Sequence, residues 1–374
     1  MERKKIAFVV ATPMTINSFM KQHICQLSKH YSITVIANFN LCALDTDLPV
    51  KVIHIPISRR IDIVKDIKAL YFLIKVLKSE NFDSIHSITP KAGLFSMVAG
   101  SLAKCRILFH TYTGQVWANK KGFKRLFLKL LDKITFHLAD FVLVDSISQR
   151  EFLINEKVIT SDKSKVLGSG SISGVNINKF SPNLKSDVRD EYSIPNGATL
   201  FLYLGRVCYD KGIKELVESF RILSSIKPDV YLLIVGPSEG DFDMAYFTRL
   251  GLERLIRIEG YQDAQPFFSA SNILLLPSYR EGFGSTVLEA AACCVPTIGS
   301  DIYGLNDAIV NGVTGLLHEK GDSRDLFKKM LILAENPEYT HSLGKNAMIR
   351  AHLEFSSEVL TSLLIKFYRS YHDV

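Results

Sequence analysis

The stretch Glu281-Gly282-Phe283-Gly284-Ser285-Thr286-Val287-Leu288-Glu289 sets two carboxylates on either side of a pair of glycines. It follows the apolar run Ile273–Pro277 and continues with the period of a helix toward Cys294. Gly282 and Gly284 let the backbone come close to a ligand. Ser285 or Thr286 can cap the helix, whose free N–H groups and dipole favour an anion such as a diphosphate. Glu281 then lies on the loop and Glu289 about one turn into the helix. Both can accept hydrogen bonds from the hydroxyls of a ligand whose phosphates lie over the helix start. A second stretch, Gly205-Arg206-Val207-Cys208-Tyr209-Asp210-Lys211-Gly212, directly follows the apolar run Thr199–Leu204. Gly205 permits a tight exit from a strand, and Arg206 and Lys211 supply two cations suited to a diphosphate. Taken singly, each stretch has a plainer reading: a glycine-rich turn, and two exposed cations in a surface loop.

Other combinations carry less. Asp45-Thr46-Asp47 and Asp241-Phe242-Asp243 fit a D-x-D metal pattern but sit in loops without a supporting strand. Gly168-Ser169-Gly170-Ser171-Ile172-Ser173-Gly174 is out of step with G-x-G-x-x-G and lacks the acidic residue that should follow it. No His/Cys cluster has zinc-ligand spacing, so no metal is expected.

The elements that must hold these residues alternate along the whole chain. Strands are predicted at Lys5–Ala11, Ser32–Ala37, Lys51–His54, Ser84–His86, Arg106–His110, Phe141–Val144 and Lys165–Leu167, with helices at Ser18–Lys29, Ile63–Ser79 and Lys91–Leu102. Such β-α-β alternation argues for parallel sheets covered on both faces. Around Ser181-Pro182-Asn183-Leu184-Lys185 the apolar period stops, which reads as a linker. The alternation then resumes with strands at Thr199–Leu204, Val230–Val235, Ile256–Glu259, Ile273–Pro277, Val295–Ile298 and Gly315–Leu317. An amphipathic helix, Ser357–Tyr371, ends the pattern. The expectation is an α/β chain of two Rossmann-like, doubly wound domains: 1–182, a linker 183–198, and 199–374, with the last helix (about 357–371) able to pack back on the first domain. Ligands bind at the carboxyl ends of strands in such sheets, which predicts a site in a cleft between the two domains.

The 374 residues are 47% hydrophobic and 22% charged, which suits two cored domains and excludes a disordered tail. The opening apolar run, Ile6–Ala11, is too short for a secretory signal, and no run is long enough to span a bilayer. Six cysteines without C-x-x-C spacing fit a reduced, cytoplasmic protein. The net charge of +7 is unevenly divided: residues 1–190 hold 28 Lys+Arg against 15 Asp+Glu, and residues 191–374 hold 17 against 23. A basic half fits an anionic partner. Within it, Lys120–Lys133 is cationic and helical in period, with Phe123, Phe127, Leu130 and Ile134 in one apolar stripe. That stripe either lies on an anionic membrane or packs inward as an ordinary domain helix.

Together these motifs resemble the retaining GT-B glycosyltransferases of family 4, of the bacterial capsule and O-antigen type. Gly205-Arg206 with Lys211-Gly212 matches the family's G-R-x4-K-G stretch, and Glu281 to Glu289 its E-x7-E motif. Ser87-Ile88-Thr89-Pro90-Lys91-Ala92-Gly93, His110-Thr111-Tyr112-Thr113-Gly114 and Gly174-Val175-Asn176 extend the likeness over nearly the whole chain. The resemblance implies that Arg206 and Lys211 hold the donor diphosphate and stabilise its developing charge. It implies that Glu281 binds sugar hydroxyls and Glu289 ribose hydroxyls, with the amides of Gly282, Phe283, Gly284, Ser285 and Thr286 on sugar and phosphates. Tyr261 falls where relatives hold the nucleobase, and His110 would reach the donor sugar. It further implies a UDP-sugar as substrate, no cofactor, and a lipid-diphosphate-linked saccharide as acceptor. The setting would be the anionic inner face of the cytoplasmic membrane, with no nucleic-acid partner. Three departures stand out: Ala11-Thr12-Pro13-Met14 where a Gly-Gly loop is common, Asn176 where an Asp is common, and Asp307 where a Glu is common. A nucleotide-sugar-binding regulatory protein and a GT-B UDP-sugar epimerase are the alternatives.

Overall fold

The computed structural model describes residues 3–45, 47–58, 62–182, 184–240 and 242–372. Thr46 and Asp241, the members of the two D-x-D patterns that fall outside these ranges, are left aside. Two compact units emerge, Met1–Gly174 with Ser357–Val374, and Val175–Ser356. Among the described residues no helix is long and apolar enough to cross a membrane.

The first unit is built on seven parallel strands: β1 (Lys5–Val9), β2 (Ser32–Ala37), β3 (Lys51–His54), β4 (Ser84–Ile88), β5 (Ile107–Tyr112), β6 (Phe141–Val144) and β7 (Ser164–Lys165). Their order is β3-β2-β1-β4-β5-β6-β7. The second unit has six: β8 (Thr199–Leu204), β9 (Val230–Gly236), β10 (Leu255–Glu259), β11 (Ile273–Leu276), β12 (Thr297–Ser300) and β13 (Gly315–His318), ordered β10-β9-β8-β11-β12-β13. Central strands such as β1 and β8 are almost wholly apolar and buried, because helices cover both faces. Each sheet is doubly wound, and its strand order reverses once, between β1 and β4 and between β8 and β11. Those reversals are where loops diverge and leave a crevice at the carboxyl edge.

Several boundaries differ from the sequence reading. β5 runs on to Tyr112, so His110 lies inside the strand rather than at its end. The first helical segment begins at Pro13, where Thr12 caps the turn through Met14 N–H, and passes through a π-helical stretch at Ile16–Met20. The polar stretch 183–198 contains a short helix, Val188–Glu191, held to the second unit. Val188 and Ile194 are buried in its core, and Arg189 donates to the carbonyls of Ala270, Pro195 and Ala198 and to Asn272 Oδ1. The division therefore falls at Gly174–Val175, where the sequence reading placed it at 182.

The last helix, Ser357–His372, belongs to the first unit. Phe367 and Tyr368 pack on Phe109, Tyr368 O–H lies 2.5 Å from His86 Nδ1, and Thr361 Oγ1 lies 2.7 Å from His23 Nδ1. Burial pulls His23 down to about 4 and His86, further disfavoured by His110, to about 3, so both stay neutral.

The helix Gly122–Leu138 turns Asp132, Thr135 and Phe136 inward. Its Phe123-Phe127-Leu130-Ile134 stripe faces outward, Phe123 being 80% exposed, which removes the inward-packing reading. Its cations divide. Arg125 and Lys129 both pair with Glu156 and lie over the Trp117 ring, so they serve the interior, while Lys121 and Lys124 are exposed. The helix Ile63–Glu80 shows a second exposed mixed face, Ile63, Val64, Ile67 and Tyr71 beside Lys65, Lys68, Lys75 and Lys78.

Candidate functional site

The two motifs that opened the sequence analysis come together at the β8/β11 reversal. After β8 the chain makes a tight turn, Tyr209–Lys211, that ends at Gly212 with φ +68°. A Cβ there would sit 2.0 Å from the carbonyl oxygen of Pro277, so only glycine lets this loop close on the end of β11. The backbone amide of Tyr279 donates to Asp210 O at 2.9 Å, which ties the two loops directly. This closure brings the Lys211 ammonium into an ion pair with Glu281 Oε1, both side chains largely buried. Ser278 Oγ, wholly buried, donates to the same carboxylate oxygen at 2.8 Å.

Arg206 leaves β8 on the other side, toward β9. Tyr203 O–H donates to its carbonyl at 2.6 Å, and its guanidinium pairs with Glu239 at 2.6 Å. Val207 and Glu239 lock the two loops by backbone bonds, Val207 N–H to Pro237 O at 2.8 Å and Glu239 N–H to Val207 O at 2.9 Å. Both cations thus stand at one sheet edge, each already matched by a carboxylate.

The helix after Glu281 spans Ser285–Ala292. Its cap position is held by Gly284 at φ +93°, with no side-chain cap, which corrects the assignment of the cap to Ser285 or Thr286. A Cβ at 284 would meet Leu305 Cδ2 at 2.7 Å, so the residue is constrained by conformation and by space together. Gly282 and Gly284 flank Phe283, whose ring is core, tilted 57° against Phe355 at 5.2 Å, so this residue offers a ligand only its backbone. Thr286 and Glu289 follow on the helix. Desolvation pushes the Glu289 carboxyl up to about 7, with Lys179 drawing it down and Asp263 pushing it up. At the end of β10, Glu259 accepts from Ser238 N–H and Oγ–H, each at 2.7 Å, and from Arg257 at 2.6 Å. Tyr261, two residues on, is 72% exposed, a free ring face beside a fixed polar cluster.

His110 belongs to the first unit. Its ring is 1% exposed, stands perpendicular to Tyr112 at 4.6 Å, and has Nδ1 2.9 Å from Ser87 Oγ. Burial holds it down at about 3. Of the D-x-D aspartates, Asp45 pairs with Lys21 at 2.7 Å and Asp243 caps the helix Met244–Arg249, which gives both a structural task.

Glu239 and Ser278 were absent from the sequence reading, and Ser87 stood there only as the first residue of a matching stretch, with no role. Glu239 meets Arg206 and Ser87 meets His110 across neighbouring strands, which spacing along the chain does not disclose, while Ser278 reaches Glu281 within one loop.

Two cations at one sheet edge, each paired with a carboxylate, beside a glycine-opened helix start on a doubly wound α/β frame suit a glycosyltransferase. The comparisons with known proteins agree. The "glycosyl transferases group 1" profile matches residues 185–350. The capsular polysaccharide biosynthesis glycosyltransferase CapM of Staphylococcus aureus is 31% identical over 85% of this chain and 84% of its own. An N,N'-diacetylbacillosaminyl-diphospho-undecaprenol α-1,3-N-acetylgalactosaminyltransferase of Campylobacter jejuni is 29% identical over 86% of each chain. Among solved structures, Anabaena HepE in complex with UDP and glucose superposes with a TM-score of 0.81 at 19% identity, covering 98% of this chain and 100% of that one. Sucrose-phosphate synthase from Thermosynechococcus elongatus gives 0.79 at 20%, covering 98% and 99%. The chain belongs to the group 1 glycosyl transferases and has the GT-B fold of two Rossmann-like domains.

Proposed function

We propose that the protein is a retaining transferase that moves a hexose or N-acetylhexosamine from a UDP-sugar to a lipid-diphosphate-linked saccharide in bacterial surface polysaccharide synthesis. The observation that carries this reading is the Lys211–Glu281 pair at the β8/β11 reversal. It holds a cation suited to a phosphate beside a carboxylate suited to sugar hydroxyls, with Arg206 along the same edge. The acceptor hydroxyl attacks the anomeric carbon on the face that the diphosphate leaves. The C–O bond to phosphate breaks as the new glycosidic bond forms, and the departing phosphate oxygen takes the hydroxyl proton. Arg206 and Lys211 neutralise the leaving charge; His110 gives a hydrogen bond to a sugar oxygen; Glu281 and Glu289 hold hydroxyls. Two protein cations on the diphosphate make a divalent metal dispensable. The names of the relatives support the acceptor class, since the Campylobacter enzyme acts on a diphospho-undecaprenol-linked sugar.

The basic first unit suits the anionic membrane surface where such an acceptor resides. Its exposed stripe Phe123-Phe127-Leu130 with Lys121 and Lys124, and the face of Ile63–Glu80, are the contacts expected there.

A screen of UDP- and GDP-sugars against short lipid-diphosphate acceptors, with NMR of the product linkage, tests the reading. Transfer with retained anomeric configuration is the expected result and should survive EDTA. Donor turnover without any acceptor would make the protein an epimerase, and activity restored only by manganese would revive the aspartate pairs. Vesicles containing anionic lipid should bind the protein and release it in salt; failure to bind would remove the membrane from this account.

A further inference from the structure

β9 ends at Gly236, and the next three residues, Pro237-Ser238-Glu239, run past the sheet edge to the Arg206 loop. There they continue a short ladder: Val207 N–H donates to Pro237 O at 2.8 Å and Glu239 N–H to Val207 O at 2.9 Å. Gly236 lies against the same loop, since a Cβ on residue 236 would stand 2.0 Å from Gly205 O. The backbone that carries Arg206 is therefore only as fixed as the segment 236–239 beside it. That segment has little hold of its own on β10. Pro237 has no N–H to give, and Ser238 turns its N–H to a side chain, Glu259 Oε1, at 2.7 Å.

Arg257, in the neighbouring strand β10, supplies donors to this segment. It is the register partner of Ile234, and Glu259 two residues on is the partner of Gly236, so Arg257 and Glu259 share one face. Nη2 of Arg257 shares its hydrogens among Gly236 O at 2.5 Å, Ser238 Oγ at 2.9 Å and Glu259 Oε2 at 2.6 Å. Nη1 donates to Ile234 O at 3.2 Å and to Ile258 O. The helix Met244–Arg249 covers the group, with the Phe247 ring centre 5.5 Å from the guanidinium carbon. The side chain is 2% exposed. A charge at that depth is costly unless it is paired and hydrogen-bonded, and here its acceptors all lie toward the carboxyl ends of β9 and β10.

We infer that Arg257 is a positioning residue for the donor site: its guanidinium fixes the segment 236–239, and that segment fixes the backbone of Arg206 for the diphosphate. The route is the main chain of these residues rather than the Glu239 carboxylate. The inference rests on the diphosphate lying at Arg206, as proposed above.

Calorimetry with UDP on the intact protein tests it through a double-mutant cycle. Arg257→Lys keeps the charge but loses the fork that reaches both strands. UDP should then bind roughly fivefold more weakly, less than the loss of about tenfold expected of Arg206→Ala. Arg257→Met should cost at least as much. In an Arg206→Ala background the same changes should cost less than about twofold, because the side chain they misplace is gone. A role in stability alone would lose the same factor in both backgrounds. Thermal melting accompanies each variant, and if Arg257→Met fails to fold, Arg257→Lys decides alone. Arg257→Lys within about twofold of the wild type, or an equal loss with and without Arg206, overturns the inference. Arg206→Ala at wild-type affinity would instead remove the diphosphate from Arg206, and the inference with it.

Discussion

The two units share a winding pattern and use opposite electrostatics at their centres. In the first, three histidines, His23, His86 and His110, are sunk into the fold and forced neutral. In the second, the reversal point holds full charges in pairs, Lys211 with Glu281 and Arg206 with Glu239. Neutral imidazoles keep interior hydrogen bonds, such as those of His23 and His86 to the last helix, without the cost of a buried charge. Paired charges keep two cations ordered at one sheet edge, each held by a carboxylate, as the proposed diphosphate site requires. The cost falls differently as well. The first unit, with three such histidines against the lone buried His318 of the second, is the more exposed to acid, and the second to the loss of a single partner.

The largest expected effect is that acid separates the units. His23 and His86 ionise near 4 and near 3 in the fold, against an ordinary value of 6.5. Their contribution is fully present above 6.5. As pH falls below that value the unfolded chain takes up protons that the fold refuses, so stability drains away until the folded values are reached. At pH 5 each histidine costs about 2 kcal/mol, from about 1.36 kcal/mol per pH unit. Hydrogen exchange at pH 5 against pH 7.5 should therefore show β1, β4 and the helix Ser357–His372 losing protection before β8 and β11. Equal loss in both units would dissolve the comparison.

Next in size is the removal of a site cation. Lys211→Ala takes away a charge-assisted contact worth about 1.5–3 kcal/mol, so UDP should bind roughly tenfold to a hundredfold more weakly. Arg206→Ala should cost about tenfold, because its partner is better solvated. Calorimetry with UDP measures both. If both variants bind and turn over as wild type, the diphosphate does not lie at the β8/β11 reversal.

A third effect distinguishes the carboxylates within the second unit. Glu289 ionises at about 7 without ligand because burial disfavours its charge. Ribose hydroxyls donating to it would favour the ionised form and lower that value. UDP affinity should then be full above pH 7 and fall below it, by at most about tenfold per pH unit. Glu289→Gln should flatten this profile. An affinity unchanged between pH 6 and 8 in the wild type would place the ribose elsewhere.

How much of this was legible in the sequence divides along the same line. The alternation of apolar runs with helical periods located most strands, because parallel strands buried on both faces read as continuous apolar segments. Arg206, Lys211, Glu281 and Glu289 were visible for a related reason: chemistry after a strand lands on the carboxyl edge. Strand order was not visible. Ser87 opposite His110 and Glu239 beside Arg206 depend on which strands are neighbours, and spacing does not encode it. The cap also misled, because Ser285 and Thr286 have the right side chains, but Gly284 alone fits the space under Leu305. The polar stretch 183–198 resembled a linker by composition, while two buried apolar residues, Val188 and Ile194, suffice to fasten it.

The smallest effect concerns Glu239 and sharpens the contrast between paired charges that differ in burial. Arg206 and Glu239 are 42% and 48% exposed, where Lys211 and Glu281 are 18% and 15%. A solvated pair of this kind is worth at most about 1 kcal/mol. When a diphosphate binds Arg206, Glu239 becomes a like-charged neighbour and must give way. Glu239→Gln removes that competitor while keeping the side chain's length, so UDP should bind more tightly by up to about fivefold, most visibly at low salt. The corresponding change at the buried pair should behave otherwise. Glu281→Gln frees Lys211 for phosphate but strips the carboxylate proposed to hold the sugar, so UDP affinity should rise while transfer falls. Competition calorimetry at 20 and 300 mM salt separates the two cases. A Glu239→Gln variant that binds UDP more weakly would mean that the carboxylate orients Arg206 for the phosphate rather than contesting it, and the two pairs would then differ only in depth.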